Sequence, residues 1–177
     1  MKLLRQLTLF IGAAFLSPQA IADPITTGSP VPSVSQKNQD GKSINLADAG
    51  KSGYLLVYFY PKADTPGCTK QACSLRDDFA ALTQKGVTVF GVSLDTPADQ
   101  KSFKEKYHLP FDLLADKDAT VVTAFGVPKR GNFAKRQAFL FKDGLLVWRD
   151  LTASTANQAA DVLKVLASAD KSSATGS

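Results

Sequence analysis

"GYLLVYFYPKADTPGCTKQAC", residues Gly53 to Cys73, decides the fold, because it runs an apolar stretch into a helix start. From Tyr54 to Tyr60 every position is apolar or aromatic, which suits a central strand covered on both faces. Pro61 ends that run. Thr65 then offers an N-cap and Pro66 a first helical residue. Cys68, Ala72, Leu75, Phe79 and Leu82 recur at steps of four and three, one apolar face of a helix that Gly86 should close. Both cysteines of the chain, Cys68 and Cys73, sit on this predicted helix with four residues between them.

Strand and helix signals alternate outward from there. "VTVFGVSLD", 87–95, is a second buried-type strand. "TPADQKSFKEKYHL", 96–109, opens on Thr-Pro and reads as an amphipathic helix. "FDLLAD", 111–116, is a short strand, and "ATVVTAFGV", 119–127, a short helix in spite of its valines. "RQAFLFKDGLLVWRD", 136–150, is a hairpin around Lys142-Asp143-Gly144, with Phe139, Phe141 and Trp148 as packing residues. "STANQAADVLKVLASA", 154–169, predicts a closing helix capped by Ser154 or Thr155. Upstream, Asp40-Gly41 between two β-prone stretches predicts another hairpin. This order implies an α/β chain of thioredoxin-like layout: a mixed central sheet, helices on both faces and an N-terminal β-hairpin.

The chain has 177 residues, 44% hydrophobic and 21% charged, enough for one globular domain with a real core. Its start has the three parts of a signal peptide in order: basic Lys2 and Arg5, the apolar run Leu7 to Leu16, and the cleavage pattern Ala20-Ile21-Ala22. That run is too short to span a bilayer, Ser17-Pro18 breaks it, and no cysteine follows to carry a lipid. The expected organisation is a cleaved signal peptide over 1–22, a flexible leader over 23–32, the folded domain over 33–169 and a disordered tail over 170–177. The expected location is periplasmic, with no stable membrane association after cleavage. Without Lys2 and Arg5, 19 of the 21 basic residues remain against 16 acidic ones, a mild excess with no Lys/Arg run and no nucleic-acid footprint.

Cys68 falls in the first turn of its helix, where unpaired N–H groups and the positive end of the helix dipole favour thiolate, the nucleophilic form. Cys73 lies five helical steps on, which places the two Cα atoms roughly 8.5 Å apart. A disulfide needs less than about 7 Å. The sulfurs can therefore bond only if this part of the helix unwinds, which suits a bridge formed after one sulfur has been oxidised. Attack on a peroxide O–O bond would give a sulfenic acid at Cys68, and condensation with Cys73 a disulfide that an external dithiol reduces. The alternative is an inert disulfide in a loop, as secreted chains often carry. The Thr65-Pro66 start and the stripe through Cys68 weigh against it.

"YFYPKADTPGCTKQACSLRDDF" resembles the peroxiredoxins, and within them the peroxiredoxin Q group, also called bacterioferritin comigratory protein. The family's P-x-x-x-T-x-x-C motif falls on Pro61, Thr65 and Cys68, and the group's second cysteine on Cys73. "GVSLDTPADQKSFKEKYHLPFDLLAD" and "RQAFLFKDG" resemble later blocks, so the likeness runs from about Ser33 to Leu166. It implies that Cys68 is the peroxidatic cysteine and Cys73 the resolving one. It also implies that Thr65 hydrogen-bonds peroxide and sulfur, that Pro61 shields the pocket, and that Arg136 stabilises charge on sulfur and leaving oxygen. Lys129, Arg130 and Lys135 lie near Arg136, so sequence alone does not select it. Gln71 stands where the group commonly has Glu. His108, the only histidine, is expected in an exposed turn.

The expectation is a thiol-dependent peroxidase of the atypical 2-Cys type with no metal or organic cofactor. Its substrates would be hydrogen peroxide and organic hydroperoxides, its reductant an exported thioredoxin-like or other dithiol, its state a monomer. One rival is an exported thioredoxin-like copper chaperone, for which thiolates would need a Met or imidazole; only His108 remains after signal removal. Another is a protein thiol-disulfide oxidoreductase, which would carry C-x-x-C. A third is a binding module with a structural bridge.

Overall fold

The computed structural model describes residues 23–174. The expected signal peptide and the last three residues of the expected tail lie outside the described residues. The chain opens with a small hairpin, β1 (Ser35–Lys37) and β2 (Ser43–Asn45), turned at Gly41 with φ of 78°. A one-turn helix, α1 (Leu46–Ala49), is capped by the Asn45 side chain, which accepts from the Asp48 amide. The apolar run then forms β3 (Tyr54–Phe59).

The predicted helix after it is two helices. α2 (Pro66–Asp77) stops at Asp78, and α3 (Phe79–Gln84) restarts there. The apolar stripe continues through the break, which hides it from a periodicity reading. Asp77 and Asp78 place two carboxylates at the negative end of α2, a poor place to extend a helix. Gly86, at φ of 72°, turns the chain into β4 (Val87–Ser93). α4 (Pro97–Lys106) starts with a full capping box between Thr96 and Asp99. β5 (Asp112–Ala115) and α5 (Thr120–Ala124) follow. A two-residue ribbon, β6 (Lys129–Arg130) with β7 (Phe133–Ala134), was not anticipated. The hairpin β8 (Gln137–Lys142) and β9 (Leu145–Asp150) turns at Asp143 and Gly144, both at positive φ, as a tight primed turn requires.

The main sheet has the order β5-β4-β3-β8-β9, with β3, β4 and β5 parallel and β8 and β9 antiparallel additions. β3 is central, which explains its unbroken apolar run. Its side chains alternate between two cores. Leu56, Tyr58 and the following Tyr60 pack with Cys68, Ala72 and Leu75 of α2, Phe103 of α4 and Val162. Leu55, Val57 and Phe59 pack with Leu46, Val121, Val122, Phe125, Phe139 and Phe141 on the other face. Trp148 is half-buried against the first core.

Two boundary expectations are corrected. The segment 23–32 is not a loose leader. Gly28 N–H donates to Leu146 C=O, Leu146 N–H to Ser29 C=O and Val31 N–H to Gly144 C=O, so it lies along β9 and the turn before it, with Val31 buried, and Ile25 N–H donates to Phe125 C=O at the end of α5. Arg149 secures it further by donating to Pro24 and Ile25 carbonyls. The closing helix, α6 (Gln158–Ala174), starts later and runs farther than expected, taking residues 170–174 from the supposed tail. Ser154 acts one step ahead of it, accepting from Asn157 N–H.

Candidate active site

The site is built where β3 gives way to α2. Pro61 is half-buried at the start of the connecting loop. Two ties fix that loop. Asp95 accepts from Ala63 N–H at 2.7 Å. Asp64, at a left-handed φ of 57°, accepts from Lys106 Nζ at 2.7 Å and Tyr107 Oη at 2.6 Å. The Lys106 ammonium, then Tyr107, hold the Asp64 carboxyl below the usual carboxylate range.

Thr65 is the N-cap residue of α2 by backbone conformation, but its hydroxyl does not cap the helix. It donates to Lys62 C=O at 3.0 Å instead. That bond uses the hydroxyl hydrogen and leaves the oxygen able to accept. The first intrahelical bond runs from Thr69 N–H to Thr65 C=O. The amides of Gly67 and Cys68 lie ahead of it, in the unpaired first turn of the helix.

Cys68 is 1% exposed, and Arg136 Nη2 donates to its sulfur at 3.3 Å. Arg136 comes from the approach to β8, beside β3. Lys129, Arg130 and Lys135 are exposed, so the tertiary structure selects Arg136 among the basic candidates. Its other terminal nitrogen, Nη1, donates to Gln71 Oε1. Gln71 Nε2 in turn donates to Gln158 Oε1 at 2.8 Å. Gly67 leaves room for the guanidinium: a Cβ there would stand 3.3 Å from Arg136 Nη2.

Behind the sulfur lie two stacked phenols, Tyr58 and Tyr60, with ring centroids 5.6 Å apart. Burial raises both hydroxyls far above the ordinary phenol range, so they stay protonated. Tyr60 donates to Gln100 Oε1. Cys73 is on the same unbroken helix as Cys68, partly exposed, and both are free thiols. The structure therefore brings Cys68, Arg136 and Gln71 into contact, places Thr65 and Pro61 on the adjoining loop, and keeps Cys73 one helical stretch away. His108 is in the exposed turn expected for it. Gln158 was missed. It lies 87 residues from its partner, and nothing local distinguishes a glutamine at a helix start from a surface residue.

Comparison with known proteins identifies the family. Residues 27–149 match the model of the AhpC/TSA family. The chain is 48% identical over 105 residues to peroxiredoxin Bcp of Escherichia coli, covering 59% of this chain and 67% of that protein. It also matches chloroplastic peroxiredoxins Q of plants, of which it spans little more than half; for the Oryza sativa protein the share is 59%. Among solved structures, peroxidoxin BcpB of Mycobacterium tuberculosis superposes with a TM-score of 0.76 at 30% identity, over 83% of this chain and 98% of that one. A bacterioferritin comigratory protein of Xanthomonas campestris, whose structure is described in terms of alkyl peroxide reduction, gives 0.73 at 25% identity, over 82% and 98%. A buried thiol at a helix start under an arginine, on this sheet and with these relatives, places the chain in the AhpC/TSA family, among the peroxiredoxins of the Q and Bcp kind.

Proposed function

We propose that the protein reduces hydrogen peroxide and organic hydroperoxides at Cys68 and resolves the product with Cys73. The observation that carries this reading is the guanidinium of Arg136 donating to a buried cysteine sulfur at a helix N-terminus. The guanidinium and the first-turn amides beside the sulfur are placed to stabilise negative charge there as the reaction proceeds. The Cys68 thiolate attacks the terminal peroxide oxygen. The S–O bond forms as the O–O bond breaks, and the leaving alkoxide or hydroxide takes a proton. Arg136 is placed to stabilise the charge that develops on that oxygen. Thr65, with its hydrogen already given to Lys62 C=O, can only accept, so it would take the hydrogen bond of the hydroperoxide O–H. Pro61 walls the loop side.

Cys73 sulfur then attacks the sulfenic sulfur. An S–S bond forms, the S–O bond breaks, and the hydroxyl leaves as water with the Cys73 proton. This step requires α2 to open, because an intact helix holds the Cα atoms roughly 8.5 Å apart. A dithiol of the thioredoxin-like kind reduces the disulfide by exchange. The charge and cleavage pattern of residues 1–22 supports export, so that reductant would act outside the cytosol, on a monomeric protein. Stopped-flow oxidation of reduced protein tests the division of roles. Cys68→Ser should abolish the fast reaction, whereas Cys73→Ser should keep it but stall at sulfenic acid or over-oxidise. Equal loss of the first step in both variants would contradict the assignment.

A further inference from the structure

We infer that Gln158, the first residue of α6, is a positioning residue for Arg136 and acts through the Gln71 side-chain amide. The inference rests on Arg136 acting on Cys68 as proposed above. Gln71 and Gln158 are both fully buried. Gln71 shows its carbonyl oxygen to Arg136 and its NH2 group to Gln158 Oε1. An amide has one accepting end and one donating end. Turned around, Gln71 would present an NH2 donor to a guanidinium that can only donate. The donor-only guanidinium opposes that turn, and the Gln158 oxygen, by accepting from the NH2 group, adds to the preference.

Arg136 depends on this pair, because no carboxylate forms an ion pair with it among the described residues. Its described side-chain partners are the Cys68 sulfur and Gln71. A neutral acceptor fixes the guanidinium without cancelling its charge, so the charge stays available to the sulfur. Gln158 orients at some expense: its own Nε2 is buried without an acceptor among the described residues. Burying an unpaired amide donor is unfavourable, and the position tolerates it while its oxygen serves Gln71. The same pair joins α2 to the start of α6, alongside Ser74 Oγ accepting from Ala159 N–H at 3.2 Å. When α2 opens, Gln71 leaves Gln158 and Arg136 together.

The test is a double-mutant cycle read on the reactivity of Cys68 in a Cys73→Ser background, which leaves one thiol. Iodoacetamide alkylation is followed against pH, with the ultraviolet absorbance of the thiolate as a second signal. Gln158→Leu should slow alkylation near neutral pH by roughly tenfold, the scale of one charge-assisted hydrogen bond. Gln71→Glu replaces the amide by two equivalent acceptor oxygens, whose orientation no longer matters. In that background Gln158→Leu should change alkylation less than about twofold if the orienting role is the whole effect. Equal slowing in both backgrounds would mean that Gln158 only packs α6, and would overturn the inference. So would an unchanged rate with Gln71 retained. Arg136→Leu separates the two levels. If it leaves alkylation unchanged, the role of Arg136 itself fails. If it slows alkylation while Gln158→Leu does not, only the relay fails.

Discussion

Replacing Lys70 by glycine, with Lys70→Ala as reference, isolates the opening of α2 from everything else at the site. Lys70 lies between the two cysteines and is exposed, so neither change touches Cys68, Arg136 or Gln71. Opening this stretch breaks the bond from Thr69 N–H to Thr65 C=O at 2.8 Å, and the ties of Gln71 to Gln158 at 2.8 Å and of Ser74 to Ala159 at 3.2 Å. None of these involves the Lys70 side chain. Glycine in a helix interior is about 0.9 kcal/mol less favourable than alanine. If the disulfide forms only from the opened helix, that difference enters the opening equilibrium in full. Resolution should then be about fivefold faster in Lys70→Gly than in Lys70→Ala, since 1.4 kcal/mol is roughly tenfold. The assay is stopped-flow fluorescence of Trp148, the only tryptophan, which packs against the core that contains Cys68. The first phase, oxidation to sulfenic acid, should be the same in both variants. Over-oxidation at high peroxide should be lower in Lys70→Gly. Second phases that agree within about twofold, or a first phase that moves, would refute helix opening as the gate.

The scaffold and its titration give two further expectations. In Gly91→Ala the new Cβ would stand 2.7 Å from the tip of the Tyr58 ring and 2.8 Å from Leu113 Cδ2, inside a buried parallel strand. Overpacking of this kind should cost about 1–3 kcal/mol, read as a lower urea midpoint at unchanged slope; a midpoint equal to wild type would contradict the packing described. Asp116 is buried just after β5 and accepts from Val121 and Val122 N–H of α5. Burial, the largest influence, raises its carboxyl above the ordinary range in spite of those bonds. The folded state therefore holds this proton more tightly than the unfolded state, and its contribution to stability falls as pH rises from about 4. Relative to wild type, Asp116→Asn should lose less stability across that window in urea titrations. A steeper loss in the variant would reverse the sign assigned to Asp116.

Much of this was legible in the residues themselves. An unbroken apolar run must be covered on both faces, so β3 could be placed at the centre of a sheet before its neighbours were known. The Thr-Pro starts, the Asp-Gly turns and the thiol in a first helical turn are local signals, and each sets its own few residues of backbone. Spacing alone showed that Cys68 and Cys73 cannot bond across an intact helix. The choice of Arg136 over Lys129, Arg130 and Lys135 was not local, because all four are cations within eight residues and only the pairing of β8 with β3 brings one guanidinium to the sulfur. The break at Asp78 stayed hidden because the apolar stripe continues through it. The docking of residues 23–32 along β9 rests mainly on main-chain bonds and on Arg149 reaching carbonyls more than a hundred residues away, neither of which the side-chain pattern reveals. Gln158 is the plainest case: its part depends on which end of another amide faces it across 87 residues, and only the folded chain settles that orientation.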